Sequence, residues 1–319
     1  MRTLSSTSNS SVRRRRCALP WVILGIVVVE LIGHRALVGR FGIHEVDAVL
    51  RLMPQQPRAA RIALLGDSVG FQVLVTLVDR DDFAMLATNQ AIEMTGHFYL
   101  LRRYLHHAAE PPRAIVFLGH PPLGRNLDQL WTENYVQRCF LNWNEIAEIG
   151  AVKRNPVFTS KMIAYKLLAT LRARRYLQIA LAKSTNVAVD TRPPDDNADQ
   201  TRHGLMDLLG RWISSFRKKD ISDDYFERLL DLSDRIGAEI YYIPAPVSEA
   251  RDVAVRAREN EHIEALARRT PNLHYVADLY RVYPGEHFID GVHLKKKALL
   301  TYRQEIVASL EQLIEANEW

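Results

Sequence analysis

The sequence predicts an α/β domain built on a parallel sheet with helices on both faces. Short apolar runs recur at about 61–65, 83–88, 114–118, 239–243 and 273–277, and helical patterns separate them. About 260 residues follow position 60, enough for one large domain with a full core. Strands that alternate with helices lie parallel, because each crossover returns the chain to the same end of the sheet. Ligands of such sheets bind beyond the carboxyl ends of the strands. Ser68, Asn89 and Gly119 each fall just after a run and are therefore expected along one edge.

Ahead of the domain, a Ser/Thr-rich stretch at 3–11 leads to Arg13-Arg14-Arg15-Arg16 and then to an apolar run from Cys17 to Val29, followed by Glu30 and Leu31-Ile32-Gly33. A spanning helix needs about 20 residues. Residues 17–37 reach that length when Glu30 and His34 lie toward an interface or face a partner. No convincing small-x-small cleavage site follows, so the segment reads as an uncleaved signal anchor. The basic tail, 1–16, stays in the cytoplasm by the positive-inside rule. Residues 38–59 are then a linker, and 60–319 form an extracytoplasmic domain of a single-pass membrane protein.

Charge follows this division. Five of the 42 Lys and Arg side chains lie in residues 1–16, which contain no Asp or Glu, and the remainder equals the 37 acidic side chains. The net charge of +5 thus belongs to the tail and does not indicate a nucleic-acid partner. Of two cysteines, Cys17 lies in the anchor, leaving Cys139 alone in the outer domain without an internal disulfide. No His-Glu-x-x-His, paired Cys-x-x-Cys or Gly-rich phosphate cradle occurs, so no metal or cofactor is implied.

The first run, Arg61-Ile62-Ala63-Leu64-Leu65, ends in Gly66-Asp67-Ser68. A serine there sits at a helix start, where unpaired N–H groups and the positive dipole end suit a developing oxyanion; taken alone, it reads first as an ordinary N-cap, the commonest task of a serine after a strand. A serine hydroxyl needs an imidazole to take its proton and a third group to fix the ring. Asp290-Gly291-Val292-His293 supplies both, because side chains three residues apart can lie on one side of the backbone. The second run leads to Asn89-Gln90-Ala91, and the third to Gly119-His120-Pro121. His120 reads as structural, and His97, His106 and His107 as helix-face histidines.

Residues from about 124 to 236 exceed a single crossover and read as a helical insertion capping the site, with a flexible polar loop at 190–199. Trp131, Tyr135, Trp143, Asn142 and Asn144 suit either a sugar-binding rim or ordinary helix packing, and packing is the commoner use of such aromatics.

Taken together, these blocks resemble the SGNH/GDSL hydrolase superfamily, through strand-Gly66-Asp67-Ser68 and the late Phe288-Ile289-Asp290-Gly291-Val292-His293-Leu294. The resemblance implies a three-layer, flavodoxin-like fold over 60–319, with Ser68 as nucleophile, His293 as base and Asp290 as its orienting partner. Asn89-Gln90-Ala91 resembles the family's N-x-G block with alanine for glycine, so Ala91 would offer a backbone N–H. Where the family has G-x-N-D, Pro121 replaces the asparagine donor and cannot donate at all. The oxyanion would then rely on Asn89, Ala91, Gly119, His120, Asn126 or a backbone N–H.

The resemblance implies acyl transfer or ester hydrolysis through an acyl-Ser68 intermediate. For an anchored chain the resemblance implies O-acetyl or other acyl modification of a cell-surface or exported polysaccharide on the periplasmic or extracellular side. It also implies an acyl ester or acylated glycan as substrate and a multispanning membrane protein as acyl donor. A free esterase of lipids or small esters is the nearest competitor. The missing third-block asparagine leaves a second class open: a catalytically degenerate glycan-binding or assembly subunit of a membrane complex.

Overall fold

The computed structural model describes residues 53–89, 92–120, 140–168, 221–249 and 253–316, together with positions 24, 25, 27, 28, 30, 32 and 49. Its contacts divide the chain into two units, Met1–Gly42 with Ser160–Arg202, and Ile43–Thr159 with His203–Trp319. The candidate site lies wholly in the second.

Within that unit a five-stranded parallel sheet is formed by β1 (Ile62–Gly66), β2 (Phe83–Met85), β3 (Ala114–Gly119), β4 (Glu239–Pro244) and β6 (Leu273–Tyr275), in the order β2-β1-β3-β4-β6. All four strand pairings are parallel, as the alternating sequence pattern predicts. β1 and β3 are buried at every position, the pattern of strands covered on both faces. Val247–Ser248 (β5) and Val282–Tyr283 (β7) add a small two-stranded parallel sheet that the sequence pattern does not announce, each strand being only two residues long. The second apolar run extends past β2 in hydrogen bonding: Leu86 N–H donates to Leu64 O at 2.9 Å and Thr88 N–H to Gly66 O at 3.0 Å. The fifth run is shorter than its apolar pattern, because the chain leaves the sheet after Tyr275 into a 3₁₀ turn at Ala277–Leu279.

One sheet face, with Ile62, Leu64, Val116, Leu118 and Ile243, packs on Val69, Val73 and Leu74 of α1 (Ser68–Leu74) and on Tyr302, Ile306 and Leu310 of α7 (Lys296–Ala316). The other face carries Phe117, stacked on Tyr242 at 5.6 Å and met edge-on by His97 at 5.0 Å from α2 (Glu93–His107). α5 (Ile221–Ile236) packs against α2, where Tyr99 and Tyr225 share a buried hydroxyl hydrogen bond of 2.6 Å. α6 (Val253–Ala267) follows β5 and packs against β6.

The region read as a cap is partly structural. α5 belongs to the crossover that returns the chain to β4. α3 (Trp143–Lys153) is bound to α2 by Arg103 with the buried Glu145, and by Arg102 to Glu148 at 2.8 Å, while Arg228 of α5 pairs with the same Glu148. Asn142 is the N-cap of α3, accepting from Glu145 N–H at 2.9 Å in a reciprocal capping box. It is therefore committed to the helix and not to a sugar rim. Trp143 stays half exposed and Asn144 is exposed. α4 (Pro156–Leu167) follows. Trp131, Tyr135, the loop at 190–199 and Cys139 lie outside the described residues.

So does most of the 1–59 region, including the basic tail, Cys17 and most of the anchor. Positions 24, 25, 27, 28, 30 and 32 are helical, and the Leu24, Val27, Val28 and Ile32 side chains are 44% to 62% exposed. Among the described residues no helix is long and apolar enough to cross a membrane.

Candidate active site

β1 and β3 are neighbours, yet the chain leaves β1 toward β2 and leaves β3 toward β4. This is a switch point, where connections diverge and open a crevice beyond the strand ends. The register pairs Gly66 with Leu118, so Ser68 and His120 each stand two residues beyond that pair. Glycine is required here for approach rather than for conformation. A Cβ on Gly66 would stand 2.5 Å from Leu118 O, and one on Gly70 2.2 Å from it, which lets α1 start directly against β3.

Ser68 is the first residue of α1, and the cap is Asp67, whose Oδ1 accepts from Val69 N–H at 2.9 Å and Gly70 N–H at 3.4 Å. The N-cap reading of Ser68 therefore fails: its neighbour takes that task, and the hydroxyl turns to His293. The Ser68 Oγ to His293 Nε2 distance is 2.8 Å, across 225 residues of sequence.

His293 is presented by a closed loop. Phe288 and Leu294, both buried, form an isolated antiparallel bridge, Ile289 N–H donates to His293 O at 2.8 Å, and Lys295 N–H donates to His287 O at 2.7 Å. Gly291, at φ +82°, takes the left-handed turn inside it. Asp290 Oδ1 accepts the backbone N–H groups of Val292 (3.0 Å) and His293 (2.9 Å), which orients its Oδ2 to His293 Nδ1 at 2.7 Å. Desolvation pushes the Asp290 carboxyl up, but the hydrogen bonds from the His293 backbone and ring and from Val292 N–H outweigh it and hold the group below its ordinary value. Asp290 thus stays a carboxylate facing Nδ1, and the ring must put its lone pair at Nε2, toward Ser68.

Of the other expected site residues, Asn89 ends the hydrogen-bonded extension of β2 beside Gly66, is half-buried, and makes no hydrogen bond among the described residues. Gly119 makes room for the Asp67 carboxylate, from which a Cβ there would lie 3.3 Å. His120 N–H and Nδ1 lie 3.3 and 3.1 Å from Asp67 Oδ2. Ala91, Pro121 and Asn126 lie outside the described residues. Ser68 N–H is also without a hydrogen bond, so this N–H and the Asn89 amide are unengaged donors just beyond β1 and β2 among the described residues.

The three histidines read as helix-face residues all lie on α2, and of them His97 faces inward. It is 2% exposed against Phe117, because the first turns of α2 are buried against the sheet on nearly all sides, while His106 and His107 at the other end are exposed. Burial pulls His97 down from 6.5 to about 4, against the opposing pull of Asp67. An unfolded chain takes up this proton near pH 6.5 and the folded one only near pH 4, so stability falls as the pH drops through that window and this group adds no further loss below it. The expected loss is on the order of 3 kcal/mol. Urea midpoints at pH 7 and pH 4.5 should differ markedly in the wild type and less in His97→Leu; an equal shift in both would assign it to other groups.

Asp67 and His120 are what sequence reasoning missed as a pair. The only signal was their placement just after β1 and β3. Among the described residues no group of three or more His, Cys, Asp or Glu side chains could hold a metal. Comparison with known proteins matches no family model, no curated protein and no solved structure.

Proposed function

We propose that this chain is a serine-dependent acyl-transfer enzyme of SGNH/GDSL type, working through an acyl-Ser68 ester. The reading rests on one observation: Ser68 Oγ, His293 Nε2, His293 Nδ1 and Asp290 Oδ2 form a continuous hydrogen-bonded line at 2.8 and 2.7 Å. Ser68 Oγ attacks the acyl carbonyl while its proton passes to His293 Nε2, and Asp290 stabilises the imidazolium. Ser68 N–H and Asn89 are the donors offered to the oxyanion. The imidazolium returns the proton to the leaving oxygen, and an acceptor hydroxyl then resolves the acyl-enzyme by the same steps in reverse order.

Water as acceptor gives an esterase; a sugar hydroxyl gives an O-acyltransferase. We favour a cell-surface or exported glycan as acceptor, at the outer side of a membrane crossed by residues 17–37, with a multispanning membrane protein as acyl donor. The arginine cluster before an apolar run, the exposed apolar side chains of its described part and the family resemblance support that choice.

Exposing the purified protein to an activated acetyl ester and reading intact mass tests the reading. One acetyl is expected on the wild type, mapped to Ser68, and none on Ser68→Ala. A folded wild type with neither adduct nor turnover would overturn it in favour of a binding or assembly role.

A further inference from the structure

A second carboxylate–imidazole pair stands beside the first. Asp67 Oδ2 receives His120 N–H at 3.3 Å and faces His120 Nδ1 at 3.1 Å, and both side chains are largely buried. A carboxylate oxygen at that distance takes a ring N–H, so the neutral His120 ring carries its lone pair at Nε2. That atom has no hydrogen-bond partner among the described residues and is not among their buried unpartnered side-chain atoms. His120 therefore repeats the arrangement of His293, whose Nδ1 is held by a carboxylate and whose Nε2 points to a hydroxyl.

Position gives the pair its meaning. Asp67 directly precedes Ser68, and its other oxygen caps the helix that begins with Ser68. His120 stands at the end of β3, in the same register beyond the switch point as Ser68 does beyond β1. An unengaged acceptor atom held there stands beyond the same strand ends as the nucleophile, at the switch point where ligands of such sheets bind.

We propose that His120 Nε2 is a binding site for a second hydroxyl of the acyl acceptor, which makes the preferred acceptor a polyol, as a sugar is, rather than a simple alcohol. This rests on the acyl-Ser68 reading above. The reacting hydroxyl gives its proton to His293 Nε2 as its oxygen bonds to the acyl carbon; the neighbouring hydroxyl donates a hydrogen bond to His120 Nε2 and keeps its proton. When the bond from the acyl carbon to Ser68 Oγ breaks, His293 returns the proton to Ser68.

The test is a competition on the acyl-enzyme formed from an activated acetyl ester, with equal propane-1,2-diol and propan-1-ol, reading the ratio of the two acetate esters. This ratio is independent of how fast the acyl-enzyme forms. His120→Asn is the informative variant, because the asparagine amide reproduces the Nδ1–H donor to Asp67 and lacks only the distal nitrogen. One hydrogen bond predicts a preference of about five- to tenfold for the diol in the wild type, falling to within about twofold in His120→Asn. No diol preference in the wild type, an unchanged preference in the variant, or acetate as the sole product would each overturn the assignment while leaving acyl-Ser68 intact. Absence of the Ser68 adduct itself would instead remove the reading beneath it.

Discussion

Ser68→Ala and His293→Ala are each expected to abolish turnover of an activated ester, by about 10⁴–10⁶ in kcat, and the double variant to be no worse than either. The reason is that the two groups act on a single proton. Without His293 the Ser68 hydroxyl has no acceptor at 2.8 Å, and without Ser68 the imidazole has nothing to activate. Independent contributions would multiply, giving a double variant far below the singles. Folding should be little affected, because the triad loop is anchored by Phe288 and Leu294 and α1 by Val69, Val73 and Leu74, none of which either substitution touches. Steady-state rates of the three variants, with melting temperatures beside them, decide the matter. Substantial turnover in Ser68→Ala would mean that another nucleophile or directly activated water carries the reaction.

How much of this was legible in the sequence depends on range. The strands were readable because β1 and β3 are buried throughout, which writes an uninterrupted apolar run. Asp290 and His293 were readable as a pair because the loop that joins them is local: an aspartate capping the N–H groups two and three residues ahead needs only Gly291 to turn the chain. The junction of Ser68 with His293 could be expected from the family resemblance, yet no local rule produces a contact over 225 residues. The Asp67–His120 pair was hidden for the same reason. It exists because β1 and β3 lie side by side in a particular register, and neither residue has an unusual neighbourhood in sequence.

The burial of His97 was hidden in another way. Positions 93–101 of α2 are buried at nearly every residue, so the helix shows no polar stripe by which a buried histidine could be told from an exposed one. The insertion is ambiguous for the opposite reason: its aromatics and amides suit a rim or a helix layer alike, and Asn142 proves to belong to a capping box whose partner, Glu145, also serves Arg103.

Asp290→Asn should lower kcat by about 10⁴ while leaving the loop folded. Asparagine retains one carbonyl oxygen, enough to accept the Val292 and His293 backbone N–H groups that Oδ1 accepts now. The atom replacing Oδ2 is then an amide nitrogen, a donor facing Nδ1 at the present 2.7 Å. The neutral ring must answer by moving its proton to Nε2, which turns the atom facing Ser68 from proton acceptor into donor. Ser68 would keep a hydrogen-bonding neighbour but lose its base. The signature separating this from simple damage is pH dependence. Because the wild-type carboxyl is held below its ordinary value, the wild-type site keeps its orienting charge into acid, and the charge is lost only as the pH falls through that lowered value. The variant has no such charge at any pH, and its residual rate should instead rise with pH as hydroxide replaces the missing base. A kcat profile for Asp290→Asn parallel to the wild type and within tenfold of it would show that Asp290 merely shapes the loop. A loss near 10⁴ with an altered profile and an unchanged melting temperature would assign it the fixing of the His293 tautomer.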